Sequence, residues 1–588
     1  MKIFNIENEE VEIEEEGLVS RIVALFNEHK GERVVRENQW LKYYDAYFLR
    51  GVLPPPKYQW ESSFLSPKFF YVIEQFVNII RRSLIQSREF FKVSGTEKYE
   101  KLALTIQKLL NYYLNSYHFL EEFEKALRWG AITSEVILKI DWENKIKETP
   151  VGIQYISRPV FEAISPFDFV QDVYQRYAIH RYYMNIEDVK ALQRFEVWND
   201  FEVKEFNIKE IEKDLGTSVL FRKPIRGIVE VLEFWGTLFT NDIYPNLHLI
   251  VVNRKHIAKA EYFRYLHNSL PFVRTILFEG FEYPEGHGIM DVIYELVKSL
   301  SFLTRQIENQ IVASSSNIIE IDRTRVDHNL VSKINETGLS PFQIIFKTGA
   351  DPVTSIASYG QFNPNVLPII QYYQMEIQNS TGITEFLMGL PTSKGRPTAK
   401  EIQIKTTQSI EMMDTLTSKI ESKILKEVIY KLAMLIVEKE EESKIKEILS
   451  DEEYQTFSSY DRMFIAKLIQ DKLAISVSGI SEVMHRKDKL QQIIDFLSIA
   501  SNLQASNLNT EYLIEKFAIL LDFDPDRIFV KPSEEEQMRQ KELMKKFLQI
   551  LMNSQQDKET LLQLLEKFPL DVIVETLEGG KEENGKKQ

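Results

Sequence analysis

The apolar positions of residues 1–286 follow two alternating periods, one helical and one strand-like. Apolar residues recur every three or four positions in four segments, which predicts helices at residues 17–50, 67–88, 97–128 and 186–195. A period of two begins with AITSEVILKIDW and predicts strands at residues 131–142, 152–156, 228–234, 247–252 and 272–278. This part of the chain is therefore predicted to be an α+β unit.

Beyond Gly286 the pattern changes to long helices. Within residues 287–313 the apolar residues are spaced four, three, four, three and four positions apart, which is typical of a helix that packs lengthwise on another helix. These seam residues are Ile289, Ile293, Leu296, Leu300, Leu303 and Ile307. The opposite face, which we expect to be polar or in water, carries Asp291, Lys298, Arg305 and Glu308.

A second helix, predicted at residues 366–388, follows a small mixed segment with strand-like runs at residues 317–322 and 342–348. We expect the two helices to form an antiparallel hairpin, and a single copy of the chain would leave part of its apolar seam exposed. The segment between them is too short to bury its own core well. The pattern therefore favours assembly of several copies.

A loop rich in glycine and proline, GLPTSKGRP, separates the hairpin from a further helix. Thr398, with Glu401 three residues later, forms a capping-box pattern that marks the start of this helix. Its apolar stripe continues to Glu438, a rod of about 60 Å at the standard rise per residue. The rest of the pattern predicts a strand at residues 474–478 and helices at residues 487–501, 510–521 and 533–567.

Composition and charge exclude several classes of protein and of chemical site. The chain is 44% hydrophobic and 27% charged, as folded proteins are, and it has no cysteine for disulfides, thiolate catalysis or cysteine zinc sites. Its net charge of −15 argues against a protein that grips nucleic acid over its whole surface. No run reaches the roughly 20 apolar residues of a membrane span, and the N-terminus is acidic where a secretory signal is basic. We therefore expect a soluble protein made in the cytoplasm.

Four phrases, taken in order, resemble the portal (head-tail connector) family of tailed bacteriophages. They are RWGAITSEVILKIDW at residues 128–142, ISPFDFVQDV at 164–173, HGIMDVIYELVKSLSFLTRQIENQ at 287–310, and TGITEFLMGLP with RPTAKEIQ at 381–391 and 396–403. The resemblance covers roughly residues 40–500, and the last phrase is the most specific. It implies a mostly helical α+β portal fold with wing, stem, clip, tunnel loop and helical crown, assembled as a ring, usually a dodecamer.

The resemblance also implies how the chain is divided. The parts are an acidic N-terminal tail (1–16), an α+β wing (17–286), a first stem helix (287–313), a clip (314–365), a second stem helix (366–388), a tunnel loop (389–399), a long wing helix (400–440), a returning strand with the helical crown and C-terminal region (441–574), and a polar tail (575–588).

The function that the resemblance implies is a channel at one capsid vertex, through which double-stranded DNA is packaged and ejected. The implied partners are copies of the same chain, the passing DNA, the large terminase, the head-tail adaptor, and the scaffold and major capsid proteins. No cofactor, metal, catalytic residue or membrane is implied. The expected location is the portal vertex of the virion, after assembly in the host cytoplasm.

Basic residues of the tunnel loop are the expected DNA contacts. Lys394, Arg396 and Lys400 can touch phosphates without reading sequence, while the negative remainder of the ring keeps the DNA from being held. A solvated loop with incidental charge is the alternative for these three residues. Gly389 and Gly395 are the expected hinges of the loop, although ordinary turn chemistry explains them equally well.

In the clip, apolar residues are expected to join strands between neighbouring copies and to present a platform to the tail adaptor and the packaging motor. These residues are Ile318, Ile319, Phe342, Ile344 and Ile345. The alternative is a private core within one copy of the chain.

The sequence is also compatible with two other classes of protein. One is a different head-tail structural protein, such as an adaptor, although adaptors are generally shorter and lack the α+β part. The other is a metal-dependent nuclease using Asp141, Asp168 and Asp172, which lack diagnostic spacing and for which turn or capping roles are favoured. The sequence contains no phosphate-binding G-x-x-x-x-G-K-[ST], no H-E-x-x-H and no G-x-S-x-G.

Overall fold

A computed structural model describes a large part of the chain. The described residues are 2–4, 10–12, 15–86, 90–149, 152–205, 227–240, 242–280, 284–314, 319–322, 344–347, 366–383 and 415–477. They all belong to the first of two compact units, Met1–Ser481 and Glu482–Gln588. The predicted tunnel loop, the Thr398 capping box and the predicted helices after residue 478 lie outside the described residues.

The N-terminal part is mainly helical. Its elements are β1 (Lys2–Phe4), β2 (Glu10–Glu12), α1 (Glu15–Glu32), α2 (Val34–Tyr47), α3 (Lys68–Gln86), β3 (Phe91–Ser94), α4 (Glu100–Ser116) and α5 (Phe119–Thr133). The helices predicted at 17–50 and 97–128 each consist of two. The second breaks at His118, whose backbone is left-handed with φ of 55°.

The strand predicted from residue 131 starts later than the alternation suggested. Helix α5 continues to Thr133, and the left-handed Ser134, with φ of 110°, ends it. The amide of Ser134 still donates to the carbonyl of Gly130, at 2.9 Å. Ala131 and Ile132 belong to the buried face of the helix, so apolar residues at the junction fit both periods.

Strands dominate the next part of the chain. Its elements are β4 (Glu135–Thr149), β5 (Gly152–Ala163), β6 (Phe169–Gln171), β7 (Tyr177–Asn185), α6 (Ile186–Arg194), β8 (Ile228–Phe239), β9 (Ile243–Val252), β10 (His256–Tyr262) and β11 (Phe272–Ile276). The sequence pattern missed β6, β7 and β10. The sequence pattern did not predict β7 because this strand is buried on both faces over its first half. It carries His180 and Arg181 there, so apolar and polar residues do not alternate.

Two antiparallel sheets form from these strands. Strands β6 to β10 follow one another in sequence order in a five-stranded sheet, whereas β11, β4 and β5 form a three-stranded sheet with β4 in the centre. Helix α1 covers one face of the five-stranded sheet with residues such as Ile22 and Phe26. Val189 of α6 and the following Trp198 cover part of the other face.

Helices return in the last part. Its elements are α7 (Ile289–Ser314), β12 (Ile319–Asp322), β13 (Ile344–Lys347), α8 (Val366–Thr381), helical residues 415–420, a π-helical turn (Glu421–Leu425), α9 (Lys426–Lys439), α10 (Glu442–Ile448), α11 (Asp451–Ser458), α12 (Arg462–Asp471) and β14 (Ala474–Val477). Strands β12 and β13 pair in parallel, and β14 returns to pair with β3.

Helix α9 lies in the interior of the protein. It contacts β4, β5, α4 and α12, and its buried residues lie on every side, as expected for a helix enclosed by protein. The buried Lys431 is satisfied by the carbonyls of Leu270 and Phe272, at 2.7 and 2.6 Å from Nζ. The predicted long helix is thus present from residue 415 to Lys439, interrupted by the π-helical turn.

The predicted class, a mostly helical α+β protein, is confirmed for the described residues, of which more than half are helical. Among those residues, no helix is both long enough and apolar enough to cross a membrane.

A glycine, Gly236, lies where the register between β8 and β9 becomes irregular. The pairing of β8 with β9 shifts between Gly236 and Leu238, and Gly236 has φ of 131°. A Cβ at this position would overlap the carbonyl oxygen of Arg176. We expect Gly236→Ala to lower the free energy of unfolding by about 2 kcal/mol, measured by urea denaturation. Gly31→Ala, at an exposed helical glycine with open space, is the control and should cause no loss; equal effects would contradict the explanation.

Candidate functional site

The predicted stem corresponds to a pair of helices, α7 and α8, that pack against each other. Of the seam residues on α7, four are buried within the single chain and two are half-buried. The buried ones are Ile289, Ile293, Leu300 and Ile307, and the half-buried ones are Leu296 and Leu303. Within a single copy, the part of the seam that stays accessible is therefore limited to Leu296 and Leu303, because α2, α3 and α5 also pack on α7.

The polar face of α7 carries the predicted polar residues, and two of them, Asp291 and Arg305, are buried and hydrogen-bonded within the chain. Asp291 accepts two hydrogen bonds from Arg36 of α2, at 2.6 and 2.7 Å, and one from the Tyr43 hydroxyl at 3.0 Å. Its carboxylate also accepts from the amide of Gly288, at 2.7 Å, which caps the start of α7. We call the contact of Arg36 with Asp291 the stem anchor.

Charge and burial reinforce the stem anchor. Burial alone would lower the pKa of Arg36, but the hydrogen-bonded carboxylate of Asp291 reverses this effect and the pKa rises. Burial and the same carboxylate raise the pKa of Tyr43, so its hydroxyl stays protonated and donates. The guanidinium of Arg36 also donates to the carbonyl of Gly286, at 2.6 Å. The loop before α7 and the helix itself are therefore held by one buried cation.

Close backbone contact explains why glycine precedes α7. A Cβ on Gly288 would lie 2.9 Å from the carbonyl oxygen of Ala131 and 2.9 Å from the amide nitrogen of Ser134. Two of the phrases behind the resemblance, HGIMD and RWGAITSE, thus meet in space at the base of α7. This proximity lies beyond what a single sequence shows.

Farther along α7, Arg305 forms a second anchor. Its guanidinium donates to the carbonyls of Pro54, Ser63 and Phe64, at 2.8, 3.1 and 2.7 Å. The hydroxyl of Ser301 accepts from the amide of Ser66 at 3.1 Å. Residues 54–66 therefore run along α7 and are hydrogen-bonded to it.

Sequence reasoning missed the roles of Arg36 and Arg305, although one signal for Arg36 was present. Arg36 lies four residues before the buried Trp40, on the apolar face of its helix. A charged residue at such a position needs a partner of opposite charge, which only the fold identifies.

Several large apolar side chains of the helix pair are exposed. On α7 they include Val292 and Phe302, exposed to 42% and 51%. On α8 they include Leu367, Ile369, Tyr372 and Met375, each exposed to at least 45%. A shallow cleft lined by Leu53, Phe302, Leu303 and Tyr373 lies beside them. We call these six exposed side chains the apolar stem surface.

The helix that follows the predicted tunnel loop is fixed to the rest of the molecule. Lys419 donates to the carbonyl of Leu277 at 3.3 Å and pairs with Glu279 at 2.9 Å. Farther along, Glu438 accepts from the amide of Leu266 at 2.9 Å. Residues 415–439 are thus bound to residues 266–279, shortly before α7 in the chain.

Most predicted loop and clip residues lie outside the described residues. These are Lys394, Arg396, Lys400, Gly389, Gly395, Ile318 and Phe342. Ile319 faces Ile344 in the register of β12 and β13, and Ile345 faces Glu320. The two strands pair within one chain, and strand pairing between neighbouring copies stays a prediction.

The three aspartates considered for a nuclease have separate partners. Asp168 pairs with the buried Arg181 at 2.7 Å, Asp172 binds Arg176 at 2.8 Å within a turn, and Asp141 accepts from the Tyr265 hydroxyl at 2.8 Å. Within the described ranges, no group of three or more histidine, aspartate or glutamate residues is arranged to hold a metal ion.

Comparison with known families supplies the remaining information about identity. The model of the family described as Phage SU10 portal protein matches residues 175–558, nearly two thirds of the chain. The chain belongs to this family of phage portal proteins. The match includes the phrases at the start of α7 and around the tunnel loop, and it extends into the C-terminal region, where no phrase was recognised. The phrases at residues 128–142 and 164–173 precede it. No curated protein matches this portal protein.

The stem anchor can be tested by substituting Asp291→Asn, which removes the charge but keeps the size. Because Arg36 would remain buried without its counter-charge, we expect the free energy of unfolding to fall by about 3 kcal/mol in urea denaturation. Glu295→Gln is the matched control, since Glu295 forms only an exposed ion pair with Lys298 on the same helix. The control should change stability by less than about 0.5 kcal/mol. An equally small loss in Asp291→Asn would show that the anchor does not stabilise the fold.

Proposed function

We propose that this portal protein assembles into a ring whose channel carries double-stranded DNA into and out of the capsid at one vertex. Membership of the portal family supports this proposal, and the apolar stem surface is the observation that carries it. Large exposed apolar side chains on two adjacent helices are unusual in a monomeric protein and indicate an interface. A second copy of the chain is the partner that we assign to this surface.

The anchors explain how such an interface would be kept in place. Asp291 and Arg305 bind one side of α7 to α2 and to residues 54–66. The apolar stem surface lies on other positions of the pair. A heterologous contact, in which this surface meets a different surface of the next copy, closes into a ring when the rotation between copies is right.

The tunnel loop is proposed to contact the DNA. Lys394, Arg396 and Lys400 would touch phosphates at the narrowest part of the channel, while Gly389 and Gly395 would let the loop yield as DNA passes. The net charge of −15 per chain would prevent tight retention of the DNA. A small number of phosphate contacts, each weakened by salt, would allow the DNA to slide through the channel.

The remaining parts are proposed from the resemblance. The clip would offer a docking platform to the large terminase and the head-tail adaptor. The scaffold and major capsid proteins would surround the wing. The paired β12 and β13 support a compact clip, and their side chains at positions 319, 344 and 345 are the proposed contacts between copies.

The interface can be tested with the double variant Phe302→Asp and Tyr372→Asp. Both side chains are exposed in the single chain, so the subunit should fold normally, but two buried charges should prevent ring formation. Mass photometry should show rings for the wild type and only monomers for the variant. Leu104→Asp, at an equally exposed position on α4, is the control and should form rings. Rings in the double variant would contradict the assignment of this surface.

The DNA contacts can be tested with the triple variant Lys394→Gln, Arg396→Gln and Lys400→Gln. Rings should form, but duplex DNA should bind them with a weaker salt dependence, because each lost phosphate contact reduces the slope of log K against log salt by about 0.9. The slope is measured by fluorescence anisotropy between low and physiological salt. A control triple variant replaces three exposed lysines, Lys101, Lys125 and Lys190, with glutamine. Equal slopes in both triple variants would contradict the loop assignment.

A further inference from the structure

Charged side chains, rather than apolar ones, join the two sheets at one place. Lys139 of β4 extends from the three-stranded sheet to Glu233 of β8 in the five-stranded sheet. Its Nζ atom lies 2.8 and 2.7 Å from the two carboxylate oxygens. The side chain of Glu233 is 6% exposed and that of Lys139 is 13% exposed. Neither group can therefore exchange its partner for water without movement of the sheets.

His248 of β9 continues this contact. Its Nε2 atom lies 3.1 Å from Glu233, and its Nδ1 atom lies 2.8 Å from Glu261 of β10. A neutral imidazole has one N–H group, and a carboxylate only accepts hydrogen bonds. Both contacts are therefore satisfied only when the ring is a charged imidazolium. The ring also stacks on Trp235, with centroids 3.7 Å apart, which limits its rotation.

The cluster ends at the edge of the sheet, where Lys259 pairs with Glu261 at 2.8 Å. Positive and negative groups thus alternate from Lys139 through Glu233, His248 and Glu261 to Lys259. We propose that these five residues form a proton-operated latch across β8, β9 and β10, joined to the three-stranded sheet through Lys139, which is closed when His248 is charged and loosens when it is neutral. The latch acts within one subunit and does not depend on ring formation.

Other ionisable groups face the latch and affect its operation. Asp141 of β4 and Glu162 of β5 join Glu233 in raising the pKa of Lys139 against the effect of burial. Lys139 therefore stays charged while His248 titrates. The Nδ1 atom of His180 on β7 lies 3.6 Å from Glu233. Tyr182 of β7 and Tyr265 also feel the charge of Glu233, and burial raises the pKa of both, so they stay neutral.

The pKa shifts of His248 and Glu261 determine how the stability of the latch changes with pH. Burial lowers the pKa of His248, but Glu233 and Glu261 reverse this effect and raise it above its usual 6.5. Its contribution to stability is therefore complete below pH 6.5 and is lost as the pH rises through the raised pKa. For Glu261, burial opposes ionisation, but His248 and Lys259 lower the pKa from 4.5 to about 2. Its contribution is complete above pH 4.5 and is lost as the pH falls towards 2. The latch is thus closed between pH 4.5 and pH 6.5, loosens on the alkaline side as His248 loses its proton, and loosens on the acid side as Glu261 gains one.

Hydrogen exchange followed by mass spectrometry over a series from about pH 5.5 to about pH 9 tests the latch on the intact chain. After correction for the intrinsic pH dependence of exchange, the wild type should lose protection at least about threefold in β4, β8 and β9 as the pH rises. His248→Gln should show low protection at every pH and no such step. His180→Gln and His256→Gln, the latter at an exposed histidine, should keep the step.

The proposal is overturned if wild-type protection stays constant across the series, if His248→Gln keeps the step, or if His180→Gln abolishes it. Should His248→Gln fail to fold, Glu261→Gln serves instead. This variant removes one of the two carboxylates that raise the pKa of His248, so the step should move to lower pH. A step at the wild-type position in Glu261→Gln would equally refute the latch.

Discussion

The buried contact between Arg36 and Asp291 fixes the position of α7, on which the arrangement of the α7–α8 helix pair depends. It binds a helix near the N-terminus to a residue 255 positions later in the chain. Breaking such a pair leaves an uncompensated buried charge, which is costly, so the contact favours the arrangement of the helices in which both partners meet. Arg305 repeats the principle farther along α7 by binding three carbonyls of residues 54–64.

On α7, Asp291 and Arg305 bind other parts of their own chain, whereas the side chain of Phe302, on the same side of the helix, and those of Leu367 and Tyr372 on α8 remain exposed. In the proposed ring, such a subunit would bring a preformed interface to assembly, because the exposed residues lie on helices that are already held in place. Little conformational entropy would then be lost when copies meet.

Spacing in the sequence was sufficient to locate α7 and its seam, because apolar residues at a helical period are buried wherever the helix packs. The same reasoning placed Asp291 and Arg305 on a face that is polar or in water, but it did not identify their partners, since a sequence gives no sign that residues 36–66 fold back over that face. The alternation that marks strands failed for β7, where His180 and Arg181 are buried with charged partners. The roles of Lys394 and Arg396 came from family resemblance alone, because charge on a glycine-rich loop has no single structural meaning.

Cryo-electron microscopy of the purified protein would show whether copies of the chain form a ring. We expect closed rings around an open channel, with α7 and α8 of every copy next to the channel and Phe302 and Tyr372 buried between neighbouring copies. Particles that remain single subunits at every protein concentration, or rings in which the apolar stem surface faces solvent, would contradict this expectation.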